Sequence, residues 1–261
     1  MSDAVRTERI GRILEITLER PKANAINAAT SKLLAKAFEL LNDDDSLSVG
    51  IITGAGEKFF SAGWDLKAAA DGEAPDADQG IGGFAGLTEY WSLKKPVIAV
   101  VNGMALGGGF ELALAADMIV AADHATFALT EAAIGLIADA GGVIRLPRRL
   151  PRAIAMEMMM TGRHVAASEL ERWGLVNQVV PAASLRTTAL EFASRVAACA
   201  PLSLQAIKEI DRATQGASEC DAYRLMRESE LPIYRRVYAS EDAAEGIRAL
   251  SEKRAPVWRG R

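Results

Sequence analysis

The chain has 261 residues, half of them hydrophobic and a quarter charged, with a formal net charge of −4. That is ordinary globular composition, long enough to bury roughly three quarters of its unfolded surface, and its acidic balance argues against a general nucleic-acid binder, which needs cations to neutralise phosphates. Two cysteines with no CxxC or HExxH pattern point to a reducing compartment and no structural metal, and a polar N-terminus with no apolar run near 18 residues points to a cytoplasmic protein without leader or membrane span.

In chain order, Ile13–Leu18 (ILEITL) alternates apolar and polar residues and predicts a half-exposed strand. After Arg20-Pro21 comes a loop over 22–26 (KANAI), and Asn27 is placed to cap a helix over 28–41. Val49–Thr53 reads as a buried strand stopped by Gly54-Ala55-Gly56. Residues 59–66 (FFSAGWDL) then give apolar residues, a small-residue turn and a helix start. The stretch 71–86, rich in Gly, Asp and Pro, is an irregular excursion of a length that compact domains reserve for functional or mobile loops. A helix is expected over 87–94.

Val97–Val101 is a β-branched run of the kind buried on both faces. Gly107, Gly108 and Gly109 follow it, then a helix over 110–116 that is apolar all round except for Glu111. Next come a strand at 118–121, a run to Glu131 over 127–131, a loop over 135–142 and a segment carrying Arg145, Arg148, Arg149 and Arg152. Helices are expected at 152–160 and 167–173 and a strand at 175–180. Beyond 182 only helical periodicity remains, broken by Pro201, Gly216 and Pro232. Strands alternating with helices predict an α/β fold with parallel or mixed sheets. The unit of buried strand, small-residue turn and helix recurs at 49–70 and 96–116, which suggests a spiral of similar turns.

Most catalytic constellations fail on the residues. The only histidines are His124 and His164, both read as surface or loop residues, and no GxSxG accompanies them. The faint phosphate loop at 54–58 lacks its GK[ST] ending, and no GxGxxG implies a nicotinamide or flavin cofactor. The arginines at 145–152 are expected to face solvent or another subunit. Two Gly-rich turns and two carboxylates, Glu111 and Glu131, remain. A glycine approach exposes the free N–H groups of a helix start to a ligand oxygen, and a buried glutamate one turn away can move protons. A glutamate there also simply stabilises a helix, and glycines also mark mere turns, so Gly-Gly-Gly-x-Glu alone leaves both readings open.

Taken together, the RPKANAI loop, ITGAGEKFFSAGWDLK, KPVIAVVNGMALGGGFELALAAD, TEAAIGL…DAGG, ERWGLVNQVVP and the closing SEKRAPVW make the chain resemble the enoyl-CoA hydratase/isomerase (crotonase) family nearly end to end. The resemblance implies a crotonase-like spiral of ββα turns over 1–195 and a helical C-terminal trimerisation region over 196–261, commonly as a dimer of trimers. It implies an oxyanion hole from the N–H groups of Trp64 and Gly108, with Glu111 and Glu131 as the catalytic carboxylates. Lys22, Ala23, Ala25, Ala62, Asp65, Leu66 and Lys67 are implied along the CoA groove, and Lys253 is implied to reach a neighbouring subunit's CoA phosphates. The substrate is then an acyl-CoA thioester, with no separate cofactor, metal, nucleic acid or membrane partner. Having both glutamates favours hydration over double-bond isomerisation, and the lack of a lysine-rich helix argues against an RNA-binding member. The excursion most resembles members acting on crotonobetainyl-CoA, whose acyl group carries a quaternary ammonium. Phe84, Tyr90 and Trp91, beside Trp64, are therefore expected to form an aromatic acyl pocket. Thr130, Ala138 and Ala140 depart from the family's usual residues around Glu131, and Leu250 stands where many members have Phe.

Overall fold

A computed structural model describes residues 4–74, 77–227 and 231–261; Pro75 and Asp76 of the excursion, and the first three residues of the polar N-terminus, lie outside them. A hairpin of β1 (Val5–Ile10) and β2 (Ile13–Leu18) opens the chain. Asn27 then accepts the Thr30 N–H at 3.0 Å, capping α1 (Ala28–Asp43) as its residue type predicts.

Three similar coils follow. The first is β3 (Val49–Gly54), β4 (Phe59–Ser61) and α2 (Leu66–Ala70). The second is β5 (Val97–Val101), β6 (Met104–Leu106) and α3 (Gly108–Ala115). The third is β7 (Met118–Ala122), β8 (Thr126–Ala128) and, after a 3₁₀ turn at Glu131–Ile134, α4 (Gly142–Arg149). Each coil places its first strand in one sheet and its second strand in another. The larger sheet runs β1-β2-β3-β5-β7-β10, parallel except for the opening hairpin, and ends on β10 (Gln178–Val180). The smaller runs β4-β6-β8-β9, parallel until β9 (Val165–Ala166). The spiral inferred from the repeated strand–turn–helix unit is therefore a pair of parallel sheets wound together.

Helices α5 (Arg152–Thr161), α6 (Ala167–Arg172) and α7 (Leu185–Ala197) finish the body. The main hydrophobic cluster extends from Ile13 to Ala193 of α7. Helices α8 (Pro201–Thr214), α9 (Glu219–Arg227), α10 (Pro232–Tyr238) and α11 (Glu241–Ser251) follow, with a small separate cluster of Leu202, Ala206 and Ile233. Lys208 ties α8 to the body, donating to Asp117 Oδ2 at 2.7 Å and to the Lys95 carbonyl at 3.0 Å.

Four expectations need correction. β2 is buried along its whole length, because α7 packs across its polar face and Arg186 at the start of α7 pairs with Glu15 at 3.1 Å. The strand expected at 175–180 is shorter, since 175–177 turn before β10 begins. No helix forms over 87–94. A 3₁₀ turn at Phe84–Gly86 with positive φ at Ala85 and Gly86 leads into successive turns, and a Cβ on Gly86 would sit 2.3 Å from Ala35 N. The Phe84–Gly86 turn is packed backbone-to-backbone on α1. Finally, Arg148 and Arg152 are exposed, but Arg145 and Arg149 are only partly so. Both guanidinium groups are turned inward onto backbone carbonyls, Arg149 onto Leu114 and Ala116 at 2.9 and 3.2 Å.

Candidate active site

The ends of β4, β6 and β8 converge. After β4, Gly63 adopts φ +82°, and a Cβ there would stand 2.6 Å from Gly108 N and 2.7 Å from the Leu106 carbonyl. Only glycine fits both the conformation and the gap. The turns bearing Trp64 and Gly108 thus touch through their main chains. After β6, Gly107 takes φ +52° and precedes α3, whose first residue is Gly108. Among the described residues, no protein acceptor takes the N–H of Trp64 or of Gly108. Two free donors sit side by side at the positive end of a helix, where anionic charge is favoured.

Glu111 lies one turn into α3 and is 3 % exposed. Its Oε1 accepts the Gly142 N–H at 2.8 Å. Burial pushes its carboxyl up to about 8; the Gly142 bond pulls the other way, and the negative charges of Glu131 and Asp139 add to the rise. Glu131 starts the 3₁₀ turn after β8. A Cβ on Gly107 would be 2.8 Å from its Oε1, while its Oε2 is buried without a partner. Burial raises its carboxyl too, helped by Asp139. The Glu131 backbone is held by the bond from Leu136 N to its carbonyl at 3.0 Å, with Thr130 in place at the start of the turn.

Both glutamates, Gly108 and Trp64 open into one cavity of about 570 Å³, a volume that suits a small ligand. Phe84 also lines it, its ring filling the space where a Gly108 Cβ would be. Four carboxylates, those of Glu89, Glu111, Glu131 and Asp139, border the cavity, and among the described residues no lysine or arginine does. A group placed there meets acidic side chains, two aromatic residues and the Trp64 and Gly108 turns.

The loop of Lys22, Ala23 and Ala25 runs alongside 62–65. Ala62 N donates to the Ala23 carbonyl at 2.9 Å, Ile26 N to Gly63 at 2.7 Å and Asp65 N to Ile26 at 2.9 Å. Asn24, buried with φ +51°, staples this pair of segments by donating from Nδ2 to the Ala55 and Phe59 carbonyls at 3.0 Å. Asp65 caps α2 and pairs with Arg20 at 2.6 Å, leaving Leu66 (59 % exposed) and Lys67 on the outside. The seven residues expected along a CoA groove are therefore contiguous in space. Lys253 is exposed beyond α11, in left-handed conformation, and does not border the cavity.

The aromatic box needs correction. Phe84 joins Trp64 at the cavity, but Tyr90 is buried in the main cluster and Trp91, 64 % exposed, borders a separate cleft against α8. The turns that replace the expected helix carry both rings away. Four participants had no signal of their own in the sequence: the Gly142 donor, Glu89, Asp139 and Gln79, whose buried Oε1 has no partner in the cavity wall. Their neighbourhood, DAGG and the excursion, is legible only as glycine turns and loop.

The profile of the family described as "Enoyl-CoA hydratase/isomerase" matches residues 8–261. The chain is 58 % identical over 261 residues to a carnitinyl-CoA dehydratase of Proteus mirabilis (strain HI4320) and 59 % to that of Escherichia coli (strain K12), with all of each chain covered. Among solved structures, an enoyl-CoA hydratase of Mycobacterium tuberculosis H37Rv matches at TM-score 0.91 and 43 % identity, covering 99 % of both chains. A carnitinyl-CoA hydratase of Mycobacterium avium matches at TM-score 0.78 and 43 % identity over the whole of both.

Proposed function

Because the chain belongs to the enoyl-CoA hydratase/isomerase family, we propose that it is a hydro-lyase interconverting crotonobetainyl-CoA and carnitinyl-CoA, with Glu111 and Glu131 as its acid–base pair. The observation that carries the chemistry is the pair of buried carboxyls opening, with two free N–H groups, into one cavity. The full-length relatives at 58–59 % identity support the substrate.

In the proposed reaction, Trp64 and Gly108 donate to the thioester oxygen and take the enolate charge that develops there. A water sits between the two glutamates. One carboxylate takes its proton as the oxygen attacks Cβ, and the other carboxyl delivers a proton to Cα, so the pair ends with as many protons as it began. With Glu111 raised to about 8, the pair carries a proton at neutral pH, as this exchange requires. The acyl group carries its quaternary ammonium on the carbon next to Cβ, and a cavity lined by Glu89, Asp139, Trp64 and Phe84 supports a cationic acyl group. Each aromatic face is worth roughly 0.5–2 kcal/mol to such a cation. The chain assembles as a trimer or dimer of trimers in the cytoplasm. Its helical region from 196 onward carries the contacts, and Lys253 serves a neighbour's CoA.

Steady-state hydration of crotonobetainyl-CoA and crotonyl-CoA, with Glu111→Ala and Glu131→Ala beside the parent, tests this. The cationic substrate is preferred, and either variant loses about 10²–10⁴-fold in rate. A strong preference for crotonyl-CoA would remove the substrate, and near-parental rates in a variant would remove its carboxylate from the reaction. Sedimentation equilibrium tests the trimer.

A further inference from the structure

The donor that holds Glu111 is itself held by one side chain. Gly142 begins α4, and three residues on, the Arg145 guanidinium folds back over that same turn. Its Nη1 donates to the Ala140 carbonyl at 3.1 Å, and its Nη2 donates to the Thr88 carbonyl. A Cβ on Gly141, where φ is +114°, would fall 1.8 Å from Nη1, so the turn leaves the guanidinium just enough room. Thr88 in turn belongs to the segment that carries Phe84: its N–H and Oγ1 donate to the Phe84 carbonyl at 3.3 and 2.9 Å. The Phe84 ring lies against Gly108. One planar, five-donor group therefore joins the turn that orients Glu111 to the segment that covers the oxyanion donor.

We propose that Arg145 is the positioning residue of the site: its fork fixes the 140–142 turn, and with it the Gly142 N–H on Glu111, while its charge offsets the surrounding carboxylates. This rests on the assignment of Glu111 to the proton chemistry. Arg145 makes no hydrogen bond to Glu111 and acts through Gly142 and through its field. The charged groups acting on Glu111 are Glu131 from the 3₁₀ turn, Asp139 from the loop before α4 and Arg145 from α4; Arg145 alone among them favours the ionised form. Glu89, Arg148 and Arg149 act in turn on Arg145. Removing the arginine charge moves the titration of Glu111 to higher pH whichever role Glu111 plays, because both roles share one ionisation.

The test uses the full-length enzyme and the pH dependence of kcat/KM for Arg145→Met and Arg145→Lys. Arg145→Met lowers kcat at least tenfold with a smaller change in KM, and shifts the Glu111 limb to higher pH. Arg145→Lys keeps the limb close to the parent's position, because the charge remains, but loses rate, because an ammonium cannot span both carbonyls. Near-parental kcat in both variants, or a limb that stays put in Arg145→Met, overturns the proposal. If Arg145→Met fails to fold, a parental kcat in a folded Arg145→Lys still does so. If Glu111→Ala itself retains activity, the assignment of Glu111 has failed instead, and the two failures are distinguishable.

Discussion

Replacing Glu111 by Gln should abolish most activity and yet stabilise the protein, in a way that depends on pH. Glutamine keeps an oxygen for the Gly142 N–H, which Glu111 Oε1 now accepts at 2.8 Å, and removes the titration. A carboxyl raised from 4.5 to about 8 by burial carries a cost of about 5 kcal/mol against its ionised form. The sign follows from proton counting. Between those two values the unfolded chain is already ionised while the folded one keeps its proton, so parental stability is full below about pH 4.5 and falls until about pH 8. The variant lacks this decline. It suffers instead a pH-independent loss of about 1–3 kcal/mol for a buried amide N–H₂ without an acceptor. Glu111→Gln should therefore be slightly less stable than the parent at pH 5 and about 2–4 kcal/mol more stable at pH 8.5. For a chain of this size that is roughly 5–15 °C in Tm. Thermal and urea denaturation at the two pH values, with hydratase assays in parallel, measure it. A stability difference that is the same at pH 5 and pH 8.5 would refute the claim that burial dominates this carboxyl.

Gly63→Ala puts a Cβ against backbone at 2.6 Å and at positive φ; prising Trp64 from Gly108 should cost about 10²–10³ in kcat, the loss expected for one oxyanion donor. Gly56→Ala is the control, because Gly56 has the same φ of +82° with nothing within 4 Å, so it should lose stability but keep the rate. Asn24→Ala strands the Ala55 carbonyl and the Arg20 N–H, and leaves the Phe59 carbonyl only its 3.2 Å bond from Asn102 Nδ2. It should lower the urea midpoint by an amount equivalent to about 2–4 kcal/mol without changing the slope.

The elements with strong local physics were legible in the sequence: the β-branched run of β5, the Asn27 cap and the recurrence of strand, turn and helix. So were the two glycine turns and the buried glutamate of α3. What escaped depended on partners distant in sequence. β2 alternates like a half-exposed strand, yet Glu15 is covered because Arg186, far along the chain, arrives with α7. The 87–94 segment has helical composition, but it forms successive turns after a Phe84–Gly86 turn packed on α1, and Tyr90 and Trp91 lie away from the site. Arg145 reads as a surface cation because nothing local shows that two carbonyls, one of them at Thr88, await it. Local periodicity reports what a residue prefers, not which groups the fold leaves unsatisfied around it.

The small sheet also acts as a ruler for the proposed site. Trp64, Gly108 and Glu131 each follow a strand of it, and those strands are neighbours in the order β4-β6-β8. Their sideways spacing is therefore set by main-chain hydrogen bonding at about 4.8 Å per strand, independent of any side chain. Changes of length between coils, such as the excursion from 71 to 86, leave that spacing alone. A one-residue slip of β6 against β4 or β8 would present a different N–H at the position proposed for the thioester oxygen. The outer loops of the coils can thus vary while the spacing of Trp64, Gly108 and Glu131 stays constant.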